Sequence, residues 1–173
     1  YDAIVAGVRA YNARDGLKRA SKRLLDYVSA GGTFVVQYNT ADATLHRAFA
    51  PYPLTIGRDR VTVEEAPIEF TDPDSPLLNR PNRITERDFD GWVQERGLYF
   101  PAEWAPEYQT ALSSADPQED PHAGGLLWAR HGKGIFIYTG LAFFRQLPAG
   151  VPGACRLFAN LVSARATAAG SPR

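Results

Sequence analysis

The first forty residues, YDAIVAGVRAYNARDGLKRASKRLLDYVSAGGTFVVQYNT (1–40), decide the fold. Apolar runs over residues 3–8 and 33–38 predict two buried strands. Between them, apolar residues recur at helical spacing with basic residues on the opposite side, which predicts an amphipathic helix of about fourteen residues. We expect Asp15 to cap this helix and Gly31-Gly32 to stop it. This order of elements predicts parallel strands joined by a right-handed crossover.

The opening strand is apolar without alternation, which is typical of a strand that has neighbours on both sides. The sequence contains no Met. We therefore expect an upstream portion of a longer protein to precede Tyr1, so that the predicted sheet is truncated at its N-terminal edge.

The middle third of the chain is predicted to be irregular, and the last third to form regular strands and a helix. Frequent prolines make the middle third irregular, with short strands expected at residues 61–63 and 68–70 and a short helix at 85–89 near Trp92. The last third predicts a β-hairpin around His131-Gly132-Lys133. A final helix follows it, in which Cys155 is expected to be a small core residue.

These elements predict one α/β domain over residues 1–166, followed by a frayed tail at 167–173. We expect three layers and a mainly parallel, flavodoxin-like sheet, closed by the C-terminal hairpin and helix.

Composition excludes several classes of partner. Apolar residues make up 45% and charged residues 22%, which is ordinary for a globular domain. The 19 basic and 19 acidic residues give zero net charge, so no overall field attracts nucleic acid. No apolar run approaches the roughly 20 residues that span a bilayer. Neither nucleic-acid binding nor membrane insertion is expected, and one cysteine leaves the compartment open.

Common catalytic motifs are absent from the sequence. There is no G-x-G-x-x-G, phosphate loop, C-x-x-C or H-E-x-x-H. His46, His122 and His131 are far apart in polar segments, so solvated loop histidines are a simpler interpretation than a zinc site. We predict no catalytic residue and no metal site in this segment.

Polar side chains follow the predicted parallel strands, at the sheet edge where α/β proteins bind ligands. The first strand delivers Arg9, Tyr11 and Asn12, the second Asn39, and the last Arg145. Such groups suit a neutral polar or carboxylate-bearing ligand. Alternatively, they cap turns and bind the long middle loop.

A second candidate cluster is DFDGWVQERGLYFP (88–101), where aromatic and charged residues alternate. Glu95 and Arg96 are expected to fold over the sheet edge, with Trp92 as a stacking or packing face. Alternatively, the aromatic residues form a second core under the loop. The ligand-binding residues predicted from both clusters are Arg9, Tyr11, Asn12, Asn39, Trp92, Glu95, Arg96 and Arg145.

Four segments carry a family resemblance: residues 1–12, 24–40, 81–101 and 131–163. They resemble the C-terminal region of large bacterial PIG-L/LmbE-type deacetylases, and DFDGWVQERGLYFP is the most specific of the shared blocks. That region resembles the class I glutamine amidotransferase-like fold, in the style of ThuA-like domains and the trimerisation domain of some β-galactosidases. The resemblance implies a parent enzyme that removes N-acetyl groups from amino sugars, with zinc held by an N-terminal domain.

The sequence departs from that family in two ways. The zinc motif A-H-P-D-D is absent, and so are the nucleophile elbow and the later His-Glu pair of an amidotransferase. The resemblance therefore implies a non-catalytic accessory domain whose partner is the upstream deacetylase domain, with zinc bound only there. It is also compatible with a homo-oligomer and a sugar ligand, and it leaves export open. The alternative is a stand-alone enzyme or a carbohydrate-binding module with a degenerate site.

Overall fold

The structure is a computed structural model that describes residues 1–46 and 48–165; the predicted tail 167–173 lies outside them. The strands are β1 (Ala3–Ala6), β2 (Thr33–Gln37), β3 (Leu54–Ile56), β4 (Arg60–Val61), β5 (Ile68–Phe70), β6 (Gly97–Leu98), β7 (Pro101–Trp104), β8 (Gln109–Thr110), β9 (Leu112–Ser114), β10 (Leu126–His131) and β11 (Gly134–Thr139). The helices are α1 (Ala10–Ala13), α2 (Asp15–Ser29), α3 (Pro76–Asn79), α4 (Phe143–Gln146) and α5 (Pro152–Ser163), with 3₁₀ turns at Glu86–Phe89 and Ala123–Gly125.

The main sheet has the order β1-β2-β11-β10-β8. β1 and β2 pair in parallel, as the sequence predicts, and β2 pairs in parallel with β11, which places Thr33 opposite Ile135. The hairpin prediction is also confirmed, because β10 and β11 are antiparallel neighbours.

The architecture is mixed α/β, whereas the sheet is less parallel than expected. Among the described residues, two of its four strand pairs are antiparallel: β10 with β11, and β10 with β8. The turn between β10 and β11 accounts for one of these two antiparallel pairs, since two residues can reverse a chain but cannot make a parallel crossover.

Helices cover both faces of the sheet. Phe34, Val36 and Phe136 pack with Val28 of α2 on one face. Val35 and Ile137 pack with Leu157 and Leu161 of α5 on the other. Since successive strand residues point to opposite faces, the uninterrupted apolar run of β2 fills both cores.

The middle segment folds as three two-stranded antiparallel pairs, β3–β7, β4–β6 and β5–β9. The short strands predicted near residues 61–63 and 68–70 and the short helix near 85–89 are present. Buried Asn160 of α5 holds part of the segment, because its amide donates to the carbonyls of Leu77 (2.9 Å) and Asn82 (2.7 Å).

Two local predictions were wrong. Asp15 is the first residue of α2, and Arg14 occupies the capping position without a side-chain hydrogen bond. Cys155 is exposed, because α5 turns its neighbour Ala154 and Leu157 towards the core. Among the described residues, no helix combines the length and the apolar character needed to cross a bilayer.

Candidate functional site

The loops after β1 and β2 meet at the carboxyl edge of the sheet, as the sequence predicts. The backbone amide of Arg9 donates to the Tyr38 carbonyl over 2.8 Å. The amide of Tyr11 donates to Asn39 Oδ1 over 3.0 Å. This edge therefore brings Arg9, Tyr11 and Asn39 together, while ligand binding by them stays a prediction.

Both asparagines of this edge bind the protein's own backbone. Asn12 binds the loop after β2: its Nδ2 donates to the Thr40 carbonyl (3.0 Å), and its Oδ1 accepts from the Thr40 amide (2.9 Å). Asn39 is fully buried, and its Nδ2 donates to the Gln37 carbonyl over 3.0 Å. In the same loop, hydrogen bonds from the hydroxyls of Thr40 and Thr44 lower the pKa of Asp42 to about 2.

Tyr11 is a core residue of the α2 face. Its ring is fully buried and packs against Phe49, with the ring centroids 5.5 Å apart. The hydroxyl makes no hydrogen bond among the described residues, and the neighbouring Ser21 hydroxyl donates to the Lys18 carbonyl over 2.8 Å. Burial raises the pKa of Tyr11.

Trp92 and Arg96 lie in the interior under the middle segment. The indole N–H of Trp92 donates to the Asp88 carbonyl over 2.9 Å. Arg96 is 6% exposed; its Nε donates to the Ala66 carbonyl (3.0 Å) and its Nη1 to the carbonyl of Phe89. Burial lowers the pKa of Arg96, against the opposing effect of nearby carboxylates. Trp92 is thus a packing face in this fold.

Glu95 and Arg145 form an ion pair at the carboxyl end of β11. Arg145 Nε lies 2.7 Å from Glu95 Oε1, and its guanidinium lies 4.8 Å from the centre of the Phe144 ring. The Glu95 side chain is 10% exposed and that of Arg145 35%. Arg145 therefore keeps a solvent-facing part at the sheet edge.

The stacking of Tyr38 on Tyr99 at this edge was not predicted from the sequence. Tyr38 stacks on Tyr99 with 5.6 Å between ring centroids and an interplanar angle of 13°, and it also contacts the ring of Phe144. Burial raises the pKa of Tyr38, while Arg9 and Arg145 act in the opposite direction. We call Arg9, Tyr38, Tyr99, Phe144 and Arg145 the edge cluster.

Two members of the edge cluster have left-handed backbone conformations. Arg9 has φ 55° and Tyr99 has φ 52°. Such angles are unfavourable for residues with a Cβ, and strained residues of this kind concentrate at binding and catalytic sites. Both flank Tyr38, one through a backbone hydrogen bond and one through ring stacking. The surrounding contacts thus hold the backbone of Arg9 and Tyr99 in a conformation that the local sequence alone would disfavour.

Tyr138 connects Tyr99 of the edge cluster to Asn39 through two hydrogen bonds. Its fully buried hydroxyl donates to the Tyr99 carbonyl (3.0 Å) and accepts from the Asn39 amide (3.3 Å). Burial raises the pKa of Tyr138.

We expect Tyr138→Phe to lower the free energy of unfolding by about 1–3 kcal/mol, because two backbone groups lose their hydrogen-bond partner. Urea unfolding followed by tryptophan fluorescence measures the change.

Tyr11→Phe is the matched control for Tyr138→Phe. Its hydroxyl is equally buried but makes no hydrogen bond among the described residues, so we expect a change within about 0.5 kcal/mol. Equal effects of the two substitutions would show that the Tyr138 hydroxyl does not hold the edge.

Comparisons with known proteins give the fold. No protein-family model and no curated protein matches the chain. The cytoplasmic protein STM3548 of Salmonella typhimurium is similar over 96% of this chain and 73% of its own, with 17% identity and a TM-score of 0.60. The cytoplasmic protein STM1381 of the same organism matches 94% of this chain and 71% of its own, with 16% identity and a TM-score of 0.57.

A cold-adapted β-galactosidase from Rahnella matches 93% of this chain with 23% of its own length, at 16% identity and a TM-score of 0.51. At these identities, the similarity to solved structures establishes a shared α/β fold and carries no function to this chain.

Among the described residues, no cluster of three or more His, Cys, Asp or Glu side chains is placed to hold a metal ion.

Proposed function

We propose that this chain is a non-catalytic accessory domain of a zinc-dependent PIG-L/LmbE-type deacetylase of N-acetyl sugars. The observation that carries the proposal is the internal use of most predicted ligand residues. A polar group that is already hydrogen-bonded inside a protein offers little to a ligand, because exchanging partners gains little net free energy. The residues used in this way are Asn12, Asn39, Trp92, Glu95 and Arg96.

Two further arguments support an accessory role. The segments that carry the resemblance, residues 1–12, 24–40, 81–101 and 131–163, make up nearly half of the chain, and the zinc motif A-H-P-D-D occurs nowhere in the 173 residues. We also propose the finer assignment to the class I glutamine amidotransferase-like fold, supported by the parallel arrangement of β1, β2 and β11. The similar part of the β-galactosidase is 23% of its chain, so a domain of this fold occurs within a larger enzyme there.

The complete gene tests this proposal. We expect an A-H-P-D-D motif upstream of Tyr1 and zinc-dependent release of acetate from N-acetylglucosamine derivatives by the longer chain. The 173-residue chain should release none, with or without added zinc. Turnover by the 173-residue chain, or a start codon a few dozen residues before Tyr1, would contradict the proposal and favour a stand-alone protein.

The edge cluster favours a second candidate, a carbohydrate-binding module. The half-buried rings of Tyr99 and Phe144 lie beside arginine side chains and suit a ligand with both apolar and polar surfaces, such as a sugar, whereas Tyr38 is buried between them. Arg9 is exposed and Arg145 partly so, unlike the other charged residues predicted for the site. An accessory domain and a sugar-binding edge are compatible, since such an edge would position substrate for the catalytic domain.

Arg9→Ala tests the second candidate. We expect amino-sugar binding to weaken by about 1.5–3 kcal/mol, the usual loss for a charge-assisted hydrogen bond. The free energy of unfolding should change by less than about 0.5 kcal/mol, because the side chain is exposed. Isothermal titration with a panel of amino sugars and thermal melts measure the two quantities.

Arg23→Ala, on the exposed face of α2, is the control for loss of one positive charge. Its binding should equal that of the unmodified chain. A lower melting temperature for Arg9→Ala without a binding defect would assign Arg9 to the fold, and the sugar-binding candidate would then fail.

A further inference from the structure

A cavity of about 470 Å³ lies between α2 and the loop that follows β2. Sites for small molecules occupy about 300–1,000 Å³, so the volume is sufficient for a small ligand. We call it the α2 cavity, and it is lined mainly by Lys18, Arg19, Ser21, Lys22 and Leu25 of α2 and by His46 of the loop. The basic side of α2, for which the proposed function gives no role, therefore forms one wall of a concave site that is separate from the edge cluster.

The fold holds the other wall of the α2 cavity at two points. The Asp42 carboxylate accepts from the Thr44 amide over 2.8 Å, and the Phe49 ring packs on the Tyr11 ring with 5.5 Å between the centroids. His46 lies between these two points in the chain. Its ring is nearly parallel to that of Tyr11, with the centroids 6.3 Å apart. Contacts on both sides of His46 thus keep its ring at the cavity.

Positive charge is in excess at the α2 cavity. Three basic side chains and one acidic side chain line it, namely Lys18, Arg19, Lys22 and Asp26. Asp26 pairs with Lys22 over 2.8 Å, and Lys18 pairs over 3.3 Å with Asp15, which does not line the cavity. Within the part of the chain that the structure describes, the exposed Arg19 guanidinium has no ion pair or hydrogen bond. The α2 cavity therefore offers a free guanidinium to an anion.

A buried donor without a protein partner adjoins the α2 cavity. The Tyr11 hydroxyl is fully buried and makes no hydrogen bond among the described residues. It neighbours the Ser21 hydroxyl, and the His46 ring stacks on the Tyr11 ring, so two lining residues adjoin Tyr11. Buried hydroxyls without a partner are rare in native proteins, because the loss of hydration is not compensated. An anionic oxygen between Ser21 and His46 would give this hydroxyl an acceptor.

We propose that the α2 cavity binds a small phosphate monoester, with Arg19 and the Tyr11 hydroxyl among the donors to its phosphate. A phosphate monoester carries a charge of about −1.5 to −2 at pH 7, which matches the excess of positive charge. A guanidinium binds two phosphate oxygens at once, whereas a lysine binds as a point charge. Leu25 and Ala48 add apolar surface to the lining, which suits the organic group of an ester better than free phosphate. The proposed function neither requires nor excludes this site.

NMR titration of the 173-residue chain with phenyl phosphate, inorganic phosphate and phenol, in about 0.15 M sodium chloride, tests the ligand class. We expect saturable chemical-shift changes at the amides of Lys18–Lys22 and His46 with phenyl phosphate, and none with phenol. The dissociation constant of phenyl phosphate should be at least about 10-fold lower than that of inorganic phosphate, because its ring gains contact with Leu25 and Ala48. Equal affinities for the two phosphates would overturn the assignment to an ester, and no saturable change with either would overturn the site.

Single substitutions test the two named donors. Arg19→Gln should weaken phenyl phosphate binding about 10- to 100-fold, the usual effect of losing a charge-assisted hydrogen bond. Tyr11→Phe should weaken it about 3- to 10-fold, since a neutral hydroxyl contributes less. Arg23→Gln is the matched control, because Arg23 is an exposed arginine of the same helix that does not line the cavity. Its affinity should stay within about two-fold of the unmodified chain.

Thermal melts show whether each variant keeps the fold. Arg19 and Arg23 are both exposed, so we expect unchanged melting temperatures for their variants. A comparable loss of affinity for Arg19→Gln and Arg23→Gln would show that only the overall charge of α2 attracts phosphate, and would overturn the inference. Full affinity in both Arg19→Gln and Tyr11→Phe would also overturn it.

Discussion

Arg96→Ala is expected to lower the free energy of unfolding by about 3–5 kcal/mol. The guanidinium donates to the buried carbonyls of Ala66 and Phe89, and it lies 5.8 Å from the centre of the Phe89 ring and 5.9 Å from that of Trp92. Alanine removes two hydrogen bonds and both ring contacts, and it leaves two carbonyl oxygens without a partner. Since domains are stable by about 5–15 kcal/mol, this is a large fraction of the total.

Two variants separate the role of Arg96 from a general charge effect. Arg87→Ala removes an exposed arginine from the adjacent 3₁₀ turn, and we expect a change within about 0.5 kcal/mol. Arg96→Lys keeps the charge but loses the planar fork, so it should recover only part of the loss. Urea unfolding measures all three. A loss below about 1 kcal/mol for Arg96→Ala would show that the interior accommodates the change.

Gly153→Ala is expected to destabilise the fold by about 3 kcal/mol. Gly153 is the second residue of α5, and a Cβ there would overlap the backbone of Asp88 at its Cα and carbonyl oxygen. Backbone atoms cannot turn aside as a side chain can, so α5 would have to move away from the 3₁₀ turn at Glu86–Phe89. Differential scanning calorimetry should show a clearly lower melting temperature.

Gly16→Ala is the matched control, because Gly16 is the second residue of α2 and a Cβ there would meet nothing within 4 Å. Alanine favours the helix and restricts the unfolded chain, so we expect a gain of about 0.5 kcal/mol. If both substitutions shift the melting temperature in the same direction, the close approach of α5 to Asp88 is not what makes Gly153 necessary.

The predictions that succeeded depend on local pattern. The strand, helix and strand of residues 1–40 and the hairpin of β10 and β11 follow from periodicity and turn chemistry, which act over a few residues. The balance of parallel and antiparallel pairs was harder to predict, since it depends on where β8 joins the sheet after the irregular middle segment.

The candidate site also combines features that the local sequence predicts with features that depend on distant parts of the chain. Arg9 and Asn39 could be placed at the carboxyl edge because they directly follow strands. The stack of Tyr38 on Tyr99 could not be predicted, because it depends on the path of the chain between them. Tyr38 directly follows β2, and that position is the signal that could have drawn attention to it. The burial of Arg96 likewise depends on Ala66 and Phe89 meeting around it.

The pairing of β2 with β11 has a consequence for synthesis of the protein. β2 can pair with β11 at the centre of the sheet only after Ile135, about a hundred positions beyond its partner Thr33, has been synthesised. At about 5–20 residues per second, the ribosome takes roughly 5–20 s to produce the intervening chain. During that time β2 presents an apolar, unpaired edge, and sheets with such distant partners also fold slowly. The nascent chain is therefore a predicted client of chaperones that bind short apolar segments near the ribosome exit.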